Sequence, residues 1–117
     1  MSAFFTNEIS NPQFEKDGLR FITVKSKALN RRADITVYLP QHAVPKSVVM
    51  LLHGVYGSHW AWAFNGGVHT TTERLILDNK IEPVALVMPS DGLYGDGSAY
   101  LPHHTADYER WIAEDVL

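Results

Sequence analysis

The sequence predicts an α/β fold organised around a β-α-β crossover, and three observations lead there. Two short runs, Ser47-Val-Val-Met-Leu-Leu-His53 and Pro83-Val-Ala-Leu-Val-Met-Pro89, are apolar on both faces, as expected of strands buried between helix layers. Between them, Thr70 to Lys80 reads as a helix, with Thr70, Thr71 or Thr72 to cap it and Leu75, Ile76 and Asn79 on one side. Ahead of both lie two segments rich in β-branched and aromatic residues. Strand, helix and strand in that order imply parallel neighbours, hence a mostly parallel sheet.

Taken in order, residues 1–18 are polar, carry Asn11-Pro12 and Asp17-Gly18, and read as an irregular arm ending in a turn. Leu19 to Ser26 is strand-like. A polar Asn30-Arg31-Arg32 turn leads to Ala33-Asp-Ile-Thr-Val-Tyr-Leu39, which alternates with period two and stops at Pro40. The pair predicts two antiparallel strands with one wet face. At the end of the chain, Thr105 to Leu117 predicts a helix with Tyr108, Trp111, Ile112 and Val116 as its apolar stripe. Asp107, Glu109, Arg110, Glu114 and Asp115 are expected to face elsewhere. The acids at 114 and 115 oppose the helix dipole, and no Gly, Asn or cation closes the last turn. The helix therefore reads as interrupted. Without repeats or a linker, residues 1–117 are expected to form a single unit.

Composition narrows the function. The 117 residues are 45% hydrophobic and 20% charged, which excludes wholesale disorder. Ten Lys+Arg against thirteen Asp+Glu, for a net charge of -3, argue against a nucleic-acid partner, because phosphate binding needs a concentrated basic patch. The absence of cysteine excludes disulfides, thiolate zinc sites and thiol nucleophiles. Neither a secretory signal nor an apolar run of the ~20 residues that span a bilayer is present. The expectation is a cytoplasmic protein with no membrane partner.

The stretch Leu51-Leu-His-Gly-Val-Tyr-Gly-Ser-His-Trp60 carries the chemistry. Gly54 and Gly57 let the backbone turn with its N–H groups exposed, at the carboxyl end of a strand where α/β proteins place ligands. Such N–H groups can hold an oxyanion, worth about 2.7–4 kcal/mol per donor in acyl transfer. A plain turn also needs glycine, so the loop alone decides nothing.

Further pieces add weight: Val37-Tyr-Leu-Pro40, Leu51-Leu-His-Gly54 with Gly57 and a following Trp, Val87-Met-Pro89 with Asp91-Gly92, and the acidic aromatic segment Tyr108 to Leu117. In this order and spacing, residues 19–117 resemble the esterase D-like branch of the α/β-hydrolases, the Putative esterase family. The resemblance implies the N-terminal half of an α/β-hydrolase fold: an antiparallel pair, a parallel β-α-β unit and a terminal helix. It implies a serine esterase that hydrolyses small-molecule carboxylic esters through an acyl-serine intermediate, without a cofactor. The backbone N–H of Val55 inherits an oxyanion-hole role, with His53, Gly54 and Gly57 shaping the loop. Tyr56, Trp60, Trp62 and Asp91 are the candidate substrate pocket, although Trp60, Trp62 and Phe64 read equally well as core.

The nucleophile is another matter. A nucleophile elbow needs glycine two residues before and after its serine. Ser58 has Tyr56 and Trp60 there, Ser90 has Met88 and Gly92, and Ser98 has Asp96 and Tyr100. The serine, acid and histidine of a triad are therefore expected outside these residues, and the chain alone is expected to be inactive. No metal is expected. His103, His104 and Asp107 lie close in sequence, but adjacent histidines on a helix point apart. The loop of Asp91, Gly92, Gly95, Asp96 and Gly97 lacks the glutamate a calcium loop needs, since Pro102 stands twelve positions along. His59 and His69 read as polar loop positions without partners. By the resemblance, the strand carrying Val48 to Leu52 lacks a neighbour. The chain is thus expected to need a companion chain or self-association, or to act as a non-catalytic interaction module through that edge.

Overall fold

The computed structural model describes residues 4–93, 97–103 and 106–116. Its sheet has strands β1 (Phe4–Ile9), β2 (Leu19–Ser26), β3 (Arg31–Tyr38), β4 (Ser47–Met50) and β5 (Val84–Pro89), in the spatial order β1-β2-β3-β5-β4. Helices α1 (Ala61–Phe64) and α2 (Val68–Leu77) lie between β4 and β5 in the chain, and α3 (Tyr108–Arg110) runs into a π-helical segment, Trp111–Val116.

The crossover is present: β4 and β5 pair in parallel, with Val48 opposite Ala85 and Met50 opposite Val87. The sheet as a whole is mixed and not mostly parallel as expected, because β1–β2, β2–β3 and β3–β5 are all antiparallel. One crossover yields one parallel pair, and the hairpin from β2 to β3 brings β3 against β5 in the opposite sense. The fold is α/β.

Three expectations about the strands and their turns are corrected. Part of the arm at residues 1–18 is not irregular: β1 pairs with β2, Glu8 lying opposite Thr23 and Ile9 opposite Ile22. The turn expected at 30–32 instead spans residues 27–30, so Arg31 and Arg32 already pair with Ser26 and Lys25. Asn30 at φ 54 takes the left-handed position there, which its short polar side chain tolerates. Most consequentially, β4 is not buried. Among the described residues it lies at the sheet edge, the place expected for a strand that lacks a neighbour, but it ends at Met50 rather than His53, and Val48 and Val49 are 61% and 44% exposed. An apolar run is compatible with a central strand, but exposure depends on what lies beside it.

Alternation along β5 splits the core in two. Leu86 and Met88 join Leu19, Tyr38, Ala63, Ile76 and Val84 on the face covered by α1 and α2. Val87 packs on the other face with Val24, Ala33, Ile35, Tyr108 and Trp111. Three layers result, helix on sheet on helix. α2 begins at Val68, with Gly67 at φ 64 as its cap. Its buried stripe is His69, Thr72 and Ile76, spaced i, i+3, i+7, in place of the expected Leu75, Ile76 and Asn79. The Thr70 hydroxyl bonds the Gly67 carbonyl and that of Thr72 the Val68 carbonyl, so the threonines back-bond within the first turns.

The terminal helix keeps its predicted stripe, with Trp111 and Tyr108 fully buried. Asp107 is its cap, accepting from the Arg110 N–H at 2.9 Å. Asp115, expected on the wet side, is buried instead. It accepts from the Ser26 hydroxyl and from the Ala28 N–H at 3.0 Å. The π winding turns each residue by less than the α-helical angle, which shifts position 115 toward the sheet. No helix among the described residues is long and apolar enough to cross a membrane.

Candidate active site

The loop that follows β4 is tied at three successive carbonyls. Trp62 Nε1 donates to Leu52 O at 3.1 Å, the Tyr100 hydroxyl to His53 O at 2.6 Å, and His53 Nδ1 meets Gly54 O at 2.8 Å. The His53 ring is buried, and its Nε2 accepts the Asp91 N–H at 2.9 Å. A nitrogen that accepts cannot carry the proton, so Nδ1 bears it and donates to Gly54 O. The imidazole thereby bridges the loop after β4 to the loop after β5.

Gly57 N–H also donates to Gly54 O, at 3.0 Å, closing a turn over Val55 and Tyr56. Neither loop glycine takes the left-handed region. Tyr56 does, at φ 65, the third position of a turn that glycine usually occupies. Gly57 relieves a close approach instead: a Cβ there would lie 3.1 Å from both Gly54 O and His53 Nδ1. At Gly54 a Cβ would meet nothing within 4 Å, so the space outside the loop is open.

Peptide planarity then aims the Val55 amide. The Gly54–Val55 peptide is trans, so its N–H points opposite to its C=O. Gly54 O faces inward to His53 Nδ1 and Gly57 N, which turns the Val55 N–H away from them. Among the described residues, no backbone partner engages that N–H. Val55 and Tyr56 are 66% and 82% exposed, and Trp60 and Trp62 are half-exposed.

Asp91, a candidate pocket residue, is buried and engaged with its own loop. Its carboxylate accepts from Leu93 N–H at 2.9 Å and Ser98 N–H at 3.3 Å, and Oδ1 lies 3.5 Å from His53 Nε2. Ser98 donates its hydroxyl to Asp91 O at 2.6 Å and accepts the Tyr100 N–H at 3.1 Å. His103 Nε2 meets Ser98 O at 2.9 Å. The hydroxyls of Ser90 and Ser98 are buried and committed within these turns. Burial pushes the Tyr100 hydroxyl up to about 12, aided by the Asp91 carboxylate, so it is a donor at neutral pH.

His59 has partners that the sequence did not announce. Its Nδ1 meets the buried Thr36 hydroxyl at 2.8 Å, and its Nε2 lies 3.7 Å from Asp34 Oδ2. Burial holds its pKa below the ordinary histidine value, outweighing the attraction of Asp34. His59 thus pins the far end of the loop to β3. His69, also expected on a loop, is buried on α2 with its ring edge-on to Phe64, which itself stacks on Phe21 at 5.9 Å. His104, Gly95 and Asp96 lie outside the described residues. Among the described residues, no group of three His, Cys, Asp or Glu side chains forms a metal site.

The exit of β5 is anchored to the terminal helix. Trp111 Nε1 donates to Ser90 O at 2.8 Å, and the Arg31 guanidinium donates to Gly92 O and, at 2.8 Å, to the Tyr108 hydroxyl. A cavity of about 530 Å³ opens elsewhere, beside His42, Glu73, Ile76 and Pro83. That is the amino end of β5, whereas ligands of α/β sheets sit at the carboxyl ends. The His53–Gly57 loop, which follows the carboxyl end of β4, is therefore the candidate site in preference to this cavity.

A family profile described as Putative esterase matches residues 26–114. A solved structure titled ferulic acid esterase aligns with 97% of this chain at a TM-score of 0.72 and 24% identity. The chain spans 41% of the length of that protein. At this identity the likeness establishes a shared fold.

Proposed function

The chain belongs to this esterase family, and from that premise we propose that it forms the N-terminal part of an α/β-hydrolase domain. In this reading the domain hydrolyses carboxylic esters by way of an acyl-serine intermediate, and the chain contributes the oxyanion loop. The observation that carries the reading is the outward-aimed Val55 N–H, without a backbone partner among the described residues and held by the His53 clamp on Gly54 O. As a serine oxygen adds to the ester carbonyl, the carbonyl π pair moves to oxygen, and this N–H stabilises the developing anion. Collapse expels the alcohol, and water then cleaves the acyl-serine.

Serine, acid and base lie beyond these 117 residues in our reading. The absence of any Gly-x-Ser-x-Gly and the committed hydroxyls of Ser90 and Ser98 support it. The half-exposed Trp60 and Trp62 and the exposed Tyr56 flank the loop and suit an aromatic acyl group, as the likeness to a ferulic acid esterase also suggests. The test is turnover of p-nitrophenyl acetate and methyl ferulate by the chain as it stands and by the full reading frame that encodes it. We expect background rates from the first and phosphonate-sensitive turnover from the second. Phosphonate-sensitive turnover by the 117-residue chain would refute an external nucleophile, and an inert full-length product would refute the esterase reading.

The β4 edge favours a second reading, in which the chain acts by association. Val48 and Val49 stand exposed on a strand paired on one side only among the described residues, and such edges accept further strands. A second copy of the chain is the occupant that light scattering detects directly. A sharply melting monomer at high concentration removes this reading.

A further inference from the structure

We infer that Tyr100 is a positioning residue for the Val55 amide, acting through the peptide planes on either side of Gly54. The inference rests on the esterase reading for its chemical purpose and on geometry for its substance. Gly54 has no side chain, and its surroundings are open within 4 Å of a Cβ, so nothing packs it into one conformation. Its φ and ψ are set by the two planes that flank it. The plane after it is held by His53 Nδ1 on Gly54 O at 2.8 Å. The plane before it is held by the Tyr100 hydroxyl on His53 O at 2.6 Å. With both planes fixed, the direction of the Val55 N–H follows.

The backbone around Tyr100 is wound to deliver that hydroxyl. Ala99 and Tyr100 both occupy the left-handed region, at φ 55 and 57, where non-glycine residues persist only if their surroundings over-determine them. Ser98 does so: its hydroxyl binds Asp91 O and the Tyr100 N–H, and its carbonyl accepts Leu101 N–H at 3.3 Å. The Tyr100 ring also meets the His53 imidazole edge-on at 6.1 Å, so one side chain supports both clamps. A loop 47 residues downstream thereby fixes the geometry of the loop after β4.

Tyr100→Phe keeps the ring and removes the donor. In isotope-labelled chain, NMR should show an upfield move of the His53 carbonyl carbon and displaced Gly54 and Val55 amide resonances. Exchange of the Gly57 amide should rise about tenfold, the equivalent of one lost hydrogen bond. In the unmodified chain, a slowly exchanging Tyr100 hydroxyl proton should show an Overhauser contact to the Gly54 amide proton. Unmoved His53, Gly54 and Val55 resonances in Tyr100→Phe overturn the inference. Should that variant not fold, absence of the hydroxyl contact in the unmodified chain overturns it. In the full-length product, Tyr100→Phe should lower kcat about tenfold and leave KM unchanged, whereas a change in KM alone counts against positioning. If the NMR changes appear and no preparation cleaves esters, the esterase reading fails and the positioning stands.

Discussion

Gly92 shows how much a single residue carries at this site. It sits at φ 90, and a Cβ there would lie 2.2 Å from Tyr108 Cε1, so both conformation and space require glycine. Its carbonyl accepts from Arg31, and its N–H donates to the Ser90 hydroxyl at 2.9 Å. Gly92→Ala adds a left-handed penalty to overpacking against a buried ring. We expect a loss of about 2–4 kcal/mol, read as a lower urea midpoint. Gly54→Ala, facing open space, should leave that midpoint nearly unchanged. The two substitutions separate what the fold needs from what the loop leaves free for a ligand.

At the scale of elements, the terminal helix is fastened by its one buried acid. Asp115 holds the Ser26 hydroxyl and the Ala28 N–H at the turn between β2 and β3, while Trp111 and Tyr108 fill the core beneath. Asp115→Ala strands both donors, and each buried unsatisfied group costs about 1–3 kcal/mol. We expect destabilisation of about 2–4 kcal/mol by denaturant titration. Asp115→Asn retains an acceptor oxygen and should lose much less. The helix tethers the exit of β5 through the Trp111 bond to Ser90 O. Loosening it should therefore also raise amide exchange at Asp91 and Leu93.

For the whole molecule, His59 couples stability to pH. It joins the loop to β3 through Thr36, with Asp34 attracting a proton onto its ring, His53 repelling one, and burial opposing the charged form most strongly. A histidine whose folded pKa lies below its unfolded value of 6.5 binds more protons when unfolded. Its contribution is fully present above pH 6.5 and declines as the pH falls toward the folded value. The urea midpoint should drop between pH 7.5 and pH 5.5. His59→Gln, which keeps a hydrogen-bonding partner for Thr36, should flatten that part of the profile. An unchanged slope in the variant would assign the effect to other groups.

Much of this protein is legible in its sequence because the relevant forces are local. β-Branched and aromatic content predicts β2, alternation β3 and a run apolar on both faces β5; the stripe of Tyr108, Trp111, Ile112 and Val116 predicts the last helix, and the His53-Gly54 motif marks the loop that bears the Val55 amide. Side-chain period and backbone sterics act within a few residues, so they are written there. Tertiary structure alone decided the rest. It ended β4 at Met50 rather than His53, because a strand runs only as far as its neighbour pairs with it and an apolar run does not name that neighbour. It placed Asp115 inside and gave His59 the hydroxyl of Thr36, 23 residues away. It also brought Tyr100 to His53 O across 47 residues. Hydrogen bonds of that span form only after the sheet has set two loops side by side, and no spacing within either loop encodes them.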